Sequence, residues 1–294
     1  MNHIESLKSL QPSRDFFVGI DSDGCAFDTM EIKHKECFIP AIINVWDLQG
    51  VSRFARESAE FVNLYSQWRG LNRFPALTMV FDLLGEWDQP LQRGYTPPQC
   101  DSLRKWIAEE TRLGNPALEA KVKETGDAVL TRSLRWSQEV NDNVGKIVRN
   151  VPPFPHVRES LQKLQDAADV ICCSATPNEA LQREWQEHDI AQYTRMICGQ
   201  EMGSKKEHLK YCAGGKYADG HVLMVGDALG DMKAARDNGF LFYPINPGDE
   251  AASWRRFHGE ALDEFLAGRY AGAYEQTVLD EFMTYLPSTP PWKK

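Results

Sequence analysis

The 294-residue sequence has no run approaching the ~20 consecutive apolar residues of a membrane span. Its opening residues, MNHIESLKSLQPSR, hold no apolar stretch of signal-peptide length, so the expectation is a cytoplasmic chain without membrane association. Positive charge is also in short supply. With 33 Lys and Arg against 42 Asp and Glu, the net charge of −9 argues against general affinity for nucleic acid or anionic membrane, which require cations to displace counterions. A small anion remains admissible, because a local cluster of cations, backbone N–H groups or a bound metal is enough to hold one. The seven cysteines are Cys25, Cys37, Cys100, Cys172, Cys173, Cys198 and Cys212, an odd set without C-x-x-C spacing or a matching histidine array. Neither a disulfide framework nor a zinc site is indicated. No internal repeat is present. At 42% hydrophobic and 26% charged residues the chain lacks the polar bias of a disordered protein, so most of it is expected to fold.

What is present is an alternation of buried strands and amphipathic helices. The runs FFVGID (16–21), DVICCSA (169–175) and HVLMVGD (221–227) are apolar, β-branched and cut off by polar residues, the pattern of buried strands in a parallel sheet. RMICGQ (195–200) and FLFYPIN (240–246) could extend it. Between them, residues 157–167, 177–188 and 205–215 carry apolar residues at helical spacing, the last ending in glycines. The expected fold class is α/β: a doubly wound, Rossmann-like parallel sheet. From about residue 29 to 150 the pattern turns wholly helical, and VPPFP at 151–155 marks a return to the core. The length suits a core with a large insertion. We expect a discontinuous α/β core at 1–28 and 151–294 and an inserted α-helical cap domain at 29–150. The residues after 250 read as one or two further amphipathic helices, ending in a frayed tail, PSTPPWKK.

In an open α/β sheet ligands bind beyond the carboxyl ends of the strands. The residues delivered there are Asp21 and Asp23 in DSDGCAFDT, Ser174 in CCSATPN, and Asp227 and Asp231 in VGDALGD, with Lys205 and Lys206 opening a helix upstream. Carboxylates this crowded repel one another unless a cation sits among them, and hard oxygen ligands favour magnesium. Asp21 is then placed to attack phosphorus, and Asp23 to protonate the departing oxygen and later to deprotonate water. The Ser174 hydroxyl and nearby backbone N–H groups, that of Ala175 among them, can donate to phosphoryl oxygens while a lysine offsets their charge. Gly24 allows a sharp turn beside the phosphate. Plainer roles stand next to these. A lone D-x-D is an ordinary acidic turn, Ser174 could cap the following helix, and Asp231 could act only on a helix macrodipole. Arg69 and Arg73, four residues apart, share one face if their segment is helical. There they could meet an anionic substrate or form a salt-bridged face.

In chain order, DSDGCAFDT, Ser174, a lysine of GSKKEHL and VGDALGD resemble the four motifs of the haloacid dehalogenase-like (HAD) superfamily. The resemblance covers residues 16–28 and 151–246. It implies Asp21 as nucleophile, Asp23 as acid/base, and a magnesium ion held by Asp21, the Asp23 carbonyl and Asp227, with Asp231 in support. It also implies a phosphoryl group held by Ser174 and Lys205. K-x-E-x-L starting at Lys205 fits the family pattern, with Lys206 a close rival. Cys25 stands where Thr or Val is usual. The second Asp argues against dehalogenation, since dehalogenases of the superfamily lack it. The insertion of about 120 residues resembles the family's helical cap, though larger than usual. The expected activity is magnesium-dependent hydrolysis of a small phosphorylated metabolite through an aspartyl phosphate. The alternatives are a phosphomutase with the same nucleophile and a non-catalytic binding protein, which the intact Asp21 and Asp23 pair disfavours. Phosphonate cleavage would need an imine-forming cap lysine, for which only Lys33 and Lys35 are near.

Overall fold

The computed structural model describes residues 3–293. It divides into two compact units: one of the chain up to Thr29 with Asn150–Leu286, the other of Met30–Arg149 with the tail from Pro287 onward.

The first unit is built on a five-stranded parallel sheet of β1 (Phe16–Ile20), β2 (Ala168–Cys173), β3 (Met196–Cys198), β4 (Val222–Gly226) and β5 (Leu241–Pro244), in the order β3-β2-β1-β4-β5. Both shorter runs, at 195–200 and 240–246, therefore join the sheet, as its two edges. Side chains alternate across it as the pleat requires. Val18, Ile20, Val170, Cys172, Leu223 and Val225 enter one apolar layer, while Phe17, Ile171, Cys173, Met224 and Phe242 enter the other. The chain steps from β1 to β2 to β3 on one side and then crosses to place β4 on the other side of β1. Connections leaving β1 and β4 diverge at that point, which opens a crevice at the carboxyl ends of these two strands.

The residues after 250 complete this unit. Trp254, Phe257 and Phe265 pack in the first layer, and Leu279, Phe282 and Leu286 in the second. Glu275 accepts from the N–H of Phe242 in edge strand β5 at 2.8 Å and pairs with Arg236 at 3.0 Å, which satisfies a backbone donor that an edge would otherwise expose.

At the opposite end of the sheet, buried Asp169 ties the chain ahead of β1 to β2. Its carboxylate accepts from Ser13 N (2.7 Å), Ser13 Oγ (2.6 Å), Arg14 N (3.2 Å) and Tyr217 Oη (2.9 Å), and pairs with Arg195. Burial alone would raise its pKa, but the Ser13 and Tyr217 hydrogen bonds and the Arg195 charge outweigh it and hold the carboxyl below the usual range. A carboxyl depressed in the folded state stabilises the protein above its unfolded pKa, near 3.9, and that contribution disappears as pH falls through the folded value. Asp169→Asn is therefore expected to cost roughly 2 kcal/mol at pH 7, and less at pH 3, below the unfolded pKa. Urea unfolding at the two pH values checks this, and an equal loss at both would contradict it.

In the second unit every regular element among the described residues is helical. Thr29–Ile32 passes into a π-helix over Lys33–Phe38, and later helices include Ser52–Asn63, Arg73–Gly85 and the 20-residue Ala128–Ile147. The last is N-capped by Asp127, whose side chain accepts from Val129 and Leu130 N–H. Buried Phe74 packs edge-on against Trp106, with ring centroids 5.0 Å apart. The C-terminal tail is not frayed. Trp292 stacks on Trp87 at 4.3 Å and meets the edge of Phe61 at 5.7 Å, so one aromatic ring fastens residues 291–293 to the helical unit rather than to the sheet unit.

Candidate active site

The site begins where β1 stops. Asp21 N–H still donates to Val225 O, at 3.0 Å, after which the chain curls into a tight loop. Ala26 and Phe27 N–H both donate to Ser22 O at 3.0 Å, and Gly24 N–H donates to Phe27 O at 2.8 Å. Gly24 adopts φ 75°, a left-handed conformation that favours glycine. The loop is anchored by Trp254, whose indole N–H donates to Cys25 O at 2.7 Å. The Cys25 thiol lies buried 3.6 Å from Val225 O, and burial, with Asp21 and the other carboxylates next in effect, pushes it well up, so it fills space as a neutral group.

Beside this loop, β4 ends at Gly226 and the helix Leu229–Arg236 begins. Asp231, in its first turn, accepts at one carboxylate oxygen from both Asp227 N–H and Ala228 N–H, each at 3.2 Å. It thereby closes the loop that carries Asp227. A Cβ on Gly226 would stand 2.5 Å from the Asp231 Cβ. Gly226→Ala is accordingly expected to displace Asp231 and to lower turnover roughly a hundredfold while the fold persists. Activity and circular dichroism of the variant check this; turnover close to the natural protein's would contradict it.

β2 contributes the third side. Ser174 N–H completes the sheet pairing with Cys198 O at 2.9 Å, and its hydroxyl accepts from Thr176 N at 3.2 Å, leaving the hydroxyl proton available to another acceptor. Ala175 lies exposed on the same turn. Thr176 Oγ1 donates to one oxygen of Asp23 at 2.6 Å, and Thr29 Oγ1 donates to the other. Two hydroxyls thus fix the half-buried Asp23 carboxylate.

Lys205 supplies the positive charge. It opens the helix Lys205–Ala213, which starts in a capping box between Ser204 and Glu207. Its ammonium stands 2.9 Å from Asp21 and 2.6 Å from Asp231. Oxygens of Asp21, Asp227 and Asp231 all lie within 4.8 Å of one another, on residues no more than 4% exposed. Burial, only partly offset by Lys205, drives the Asp21 carboxyl well above the usual carboxylate range, and Asp231 and Asp227 add to the rise. Burial would lower the Lys205 pKa, but Asp21, Asp231 and Asp227 together raise it well above normal. Three buried carboxylates thus crowd beside the Lys205 ammonium, an arrangement that a further cation would ease. A magnesium ion, whose octahedral oxygen ligands span ~4.2 Å across the metal, fits both the charge and the spacing.

The structure thus brings Asp21, Asp227, Asp231 and Lys205 into one cluster, with Asp23 and Ser174 on adjoining turns. Lys206 points elsewhere and pairs with Asp237 at 2.9 Å on the surface. Arg69 and Arg73 do not share a helical face: Arg69 lies in a turn, and a new helix starts at Arg73 because Asn72 caps it. Buried Arg69 donates to Leu64 O at 2.9 Å. Arg73 donates to Ser137 Oγ at 3.0 Å and Asn141 Oδ1 at 2.7 Å, and burial lowers its pKa to about 10. Lys35 is ion-paired with Glu31 and donates to Tyr65 Oη at 3.3 Å; burial works against its charge, yet these partners hold it raised. Thr29 and Thr176 were given no role from the sequence, although they lie inside DSDGCAFDT and CCSATPN.

The haloacid dehalogenase-like hydrolase family matches residues 103–243, just under half of the chain. The match takes in Ser174, Lys205, Asp227 and Asp231 and begins downstream of Asp21 and Asp23. No curated protein matches the sequence significantly. Among solved structures, one from Lactobacillus delbrueckii subsp. bulgaricus, proposed to be a phosphoglycolate phosphatase, is 15% identical over 86% of this chain and 98% of its own, at a TM-score of 0.48. A haloacid dehalogenase-like family hydrolase from Streptococcus pneumoniae is 12% identical over 83% and 91%, at 0.43. A Bacillus subtilis protein proposed to be a HAD hydrolase, solved bound to magnesium, is 15% identical over 80% and 89%, at 0.42. Likenesses this distant bear on neither activity nor substrate.

Proposed function

We propose that this chain, which belongs to the haloacid dehalogenase-like hydrolases, is a magnesium-dependent phosphatase that hydrolyses a small phosphate monoester with Asp21 as nucleophile. The observation that supports this most is the clustering of Asp21, Asp227, Asp231 and Lys205 at the β1/β4 crevice, two residues from an Asp23 whose carboxylate is fixed by two hydroxyls.

In this reading an Asp21 oxygen attacks phosphorus, forming an acyl phosphate as the bond to the ester oxygen breaks. Asp23 gives its proton to that departing oxygen. Water then attacks the acyl phosphate, Asp23 takes the proton from the water, and the carboxylate of Asp21 is regenerated with release of inorganic phosphate. Ser174 donates its hydroxyl proton to a phosphoryl oxygen, the Ala175 N–H on the same turn is a second donor, and Lys205 offsets the charge those oxygens carry. Asp21, the Asp23 carbonyl and Asp227 would hold magnesium, with Asp231 fixing the Asp227 loop. When bound, the metal neutralises the crowded carboxylates and the transferring phosphoryl group. The helical unit is assigned as the cap. An imine-forming role for Lys35 is disfavoured, because an amine held protonated by Glu31 is a poor nucleophile.

The test is phosphate release from a panel of sugar, nucleotide and glycolate-type phosphates, with magnesium and with EDTA. Release from at least one class, dependent on magnesium, is expected. Transfer of the phosphoryl group to a second hydroxyl without free phosphate would replace hydrolysis by a mutase reaction, and no reaction by folded protein would overturn the reading.

A further inference from the structure

Ser22 stands between the two carboxylates of the loop and is wholly buried. Its hydroxyl accepts from the indole N–H of Trp185 at 3.0 Å and donates to Glu184 at 3.2 Å. Trp185 itself lies in an apolar layer with Leu181, Phe27 and Ile20. Packing alone would favour an apolar side chain here, since a buried hydroxyl is costly unless satisfied. Ser22 is satisfied as both donor and acceptor, and buried groups with complete partners favour one arrangement over its neighbours.

Trp185 and Glu184 both belong to the helix Asn178–Glu187, which follows directly on the Ser174–Thr176 turn. That stretch of chain touches the Asp21 loop twice. Trp185 and Glu184 hold it at Ser22, and Thr176 holds it at Asp23. The loop bearing the nucleophile and the turn bearing the phosphoryl-binding serine are therefore tied together at two points by one short segment.

We infer that Ser22 is a positioning residue: through Trp185 and Glu184 it fixes the spacing between the Asp21–Asp23 loop and the Ser174–Thr176 turn. The inference rests on the phosphatase reading for its effect on turnover, though not for the coupling itself. Displacement of a reacting group by about 1 Å can cost on the order of a hundredfold in rate. The Ser22 hydroxyl bonds to Glu184 and Trp185 and to neither Ser174 nor Lys205, so its loss leaves the groups assigned to bind the ester in the site.

The test compares Ser22→Ala, Trp185→Phe and the double variant, well below their unfolding temperatures. Each single variant is expected to lower kcat roughly tenfold to a hundredfold with KM nearly unchanged. The double variant should be no worse than the poorer single, because both remove the same bond. In nitrogen-15 spectra, Ser22→Ala should shift the Trp185 indole and the backbone amides of both the 21–27 loop and the 174–176 turn, and leave the Trp254 indole in place. Additive losses in kcat, losses in KM alone, or amide shifts confined to the 21–27 loop would overturn the inference. Should the natural protein release no phosphate, the amide shifts alone decide: joint movement of loop and turn supports the coupling and separate behaviour overturns it, whatever becomes of the phosphatase reading.

Discussion

Asp21→Asn is expected to reduce phosphate release by roughly 10⁴-fold or more, and at the same time to raise the melting temperature of the magnesium-free protein. The first effect follows because the amide has no nucleophilic oxygen of comparable strength and the change leaves side-chain volume almost untouched. The second is the less intuitive and more discriminating. Asp21 is one of three buried carboxylates gathered beside Lys205, and its desolvation outweighs its attraction to that ammonium. Removing it eases like-charge crowding while Lys205 keeps Asp231 at 2.6 Å. The rise in melting temperature on adding magnesium should shrink in the variant, because a ligand and part of the reason for binding have both gone. Thermal scans with and without magnesium check this alongside the kinetics. A variant that melts lower than the natural protein in EDTA would mean that the cluster is held together by Asp21 rather than strained by it.

Lys205→Met should produce the next largest loss. Removing one oriented donor or cation from a site where charge develops typically costs on the order of 10²–10³ in rate. Here it also strips the ammonium that pairs with buried Asp21 and Asp231, and breaking a buried pair in that way costs about 3–5 kcal/mol. The magnesium-free protein should therefore be markedly destabilised, and magnesium should restore more stability to the variant than to the natural protein. Lys205→Arg is not expected to rescue activity, because a planar fork cannot replace a point charge between Asp21 and Asp231. Lys206→Met is the control. Its partner Asp237 lies on the surface, where solvent screens the pair and leaves it contributing little, so turnover should change little. Equal losses for the two lysines would contradict the geometry on which the site rests.

The strands and the residues at their ends were legible because a buried parallel strand is a continuous apolar run, and its end is marked by the first polar residue. Asp21, Ser174 and Asp227 each stand directly after such a run. Asp231 was grouped with them from VGDALGD and given a supporting place; what the sequence did not show is that its close approach depends on Gly226, where a Cβ would stand 2.5 Å from the Asp231 Cβ. The choice between Lys205 and Lys206 turned on which of two adjacent side chains faces inward, and periodicity in a short helix decides that poorly. Thr29 and Thr176 were missed for a different reason: a hydroxyl has short reach and no periodic signature, so its role emerges only when the fold brings it to Asp23. Trp185 and Trp254 drew no role from the sequence, and their rings pack in the apolar layer of the sheet unit. Their indole N–H groups, which hold Ser22 and Cys25, leave no separate mark in the sequence. The Arg69 and Arg73 face failed because the helix assumed for it is interrupted by a turn, with Asn72 capping a fresh start. The tail misled because a proline-rich end looks frayed, whereas one tryptophan stacked on another is enough to hold it.

The central claim is that the phosphoryl group passes through a covalent bond to Asp21. Rapid quenching during turnover, followed by borohydride reduction, which releases phosphate from an acyl phosphate and labels its position as homoserine for mass spectrometry of the peptides, tests it most directly. The account predicts an acid-stable, hydroxylamine-sensitive acyl phosphate on Asp21 that appears before free phosphate and is absent from Asp21→Asn. Turnover without label on Asp21, or label carried by Asp23 or Ser174 instead, would contradict it.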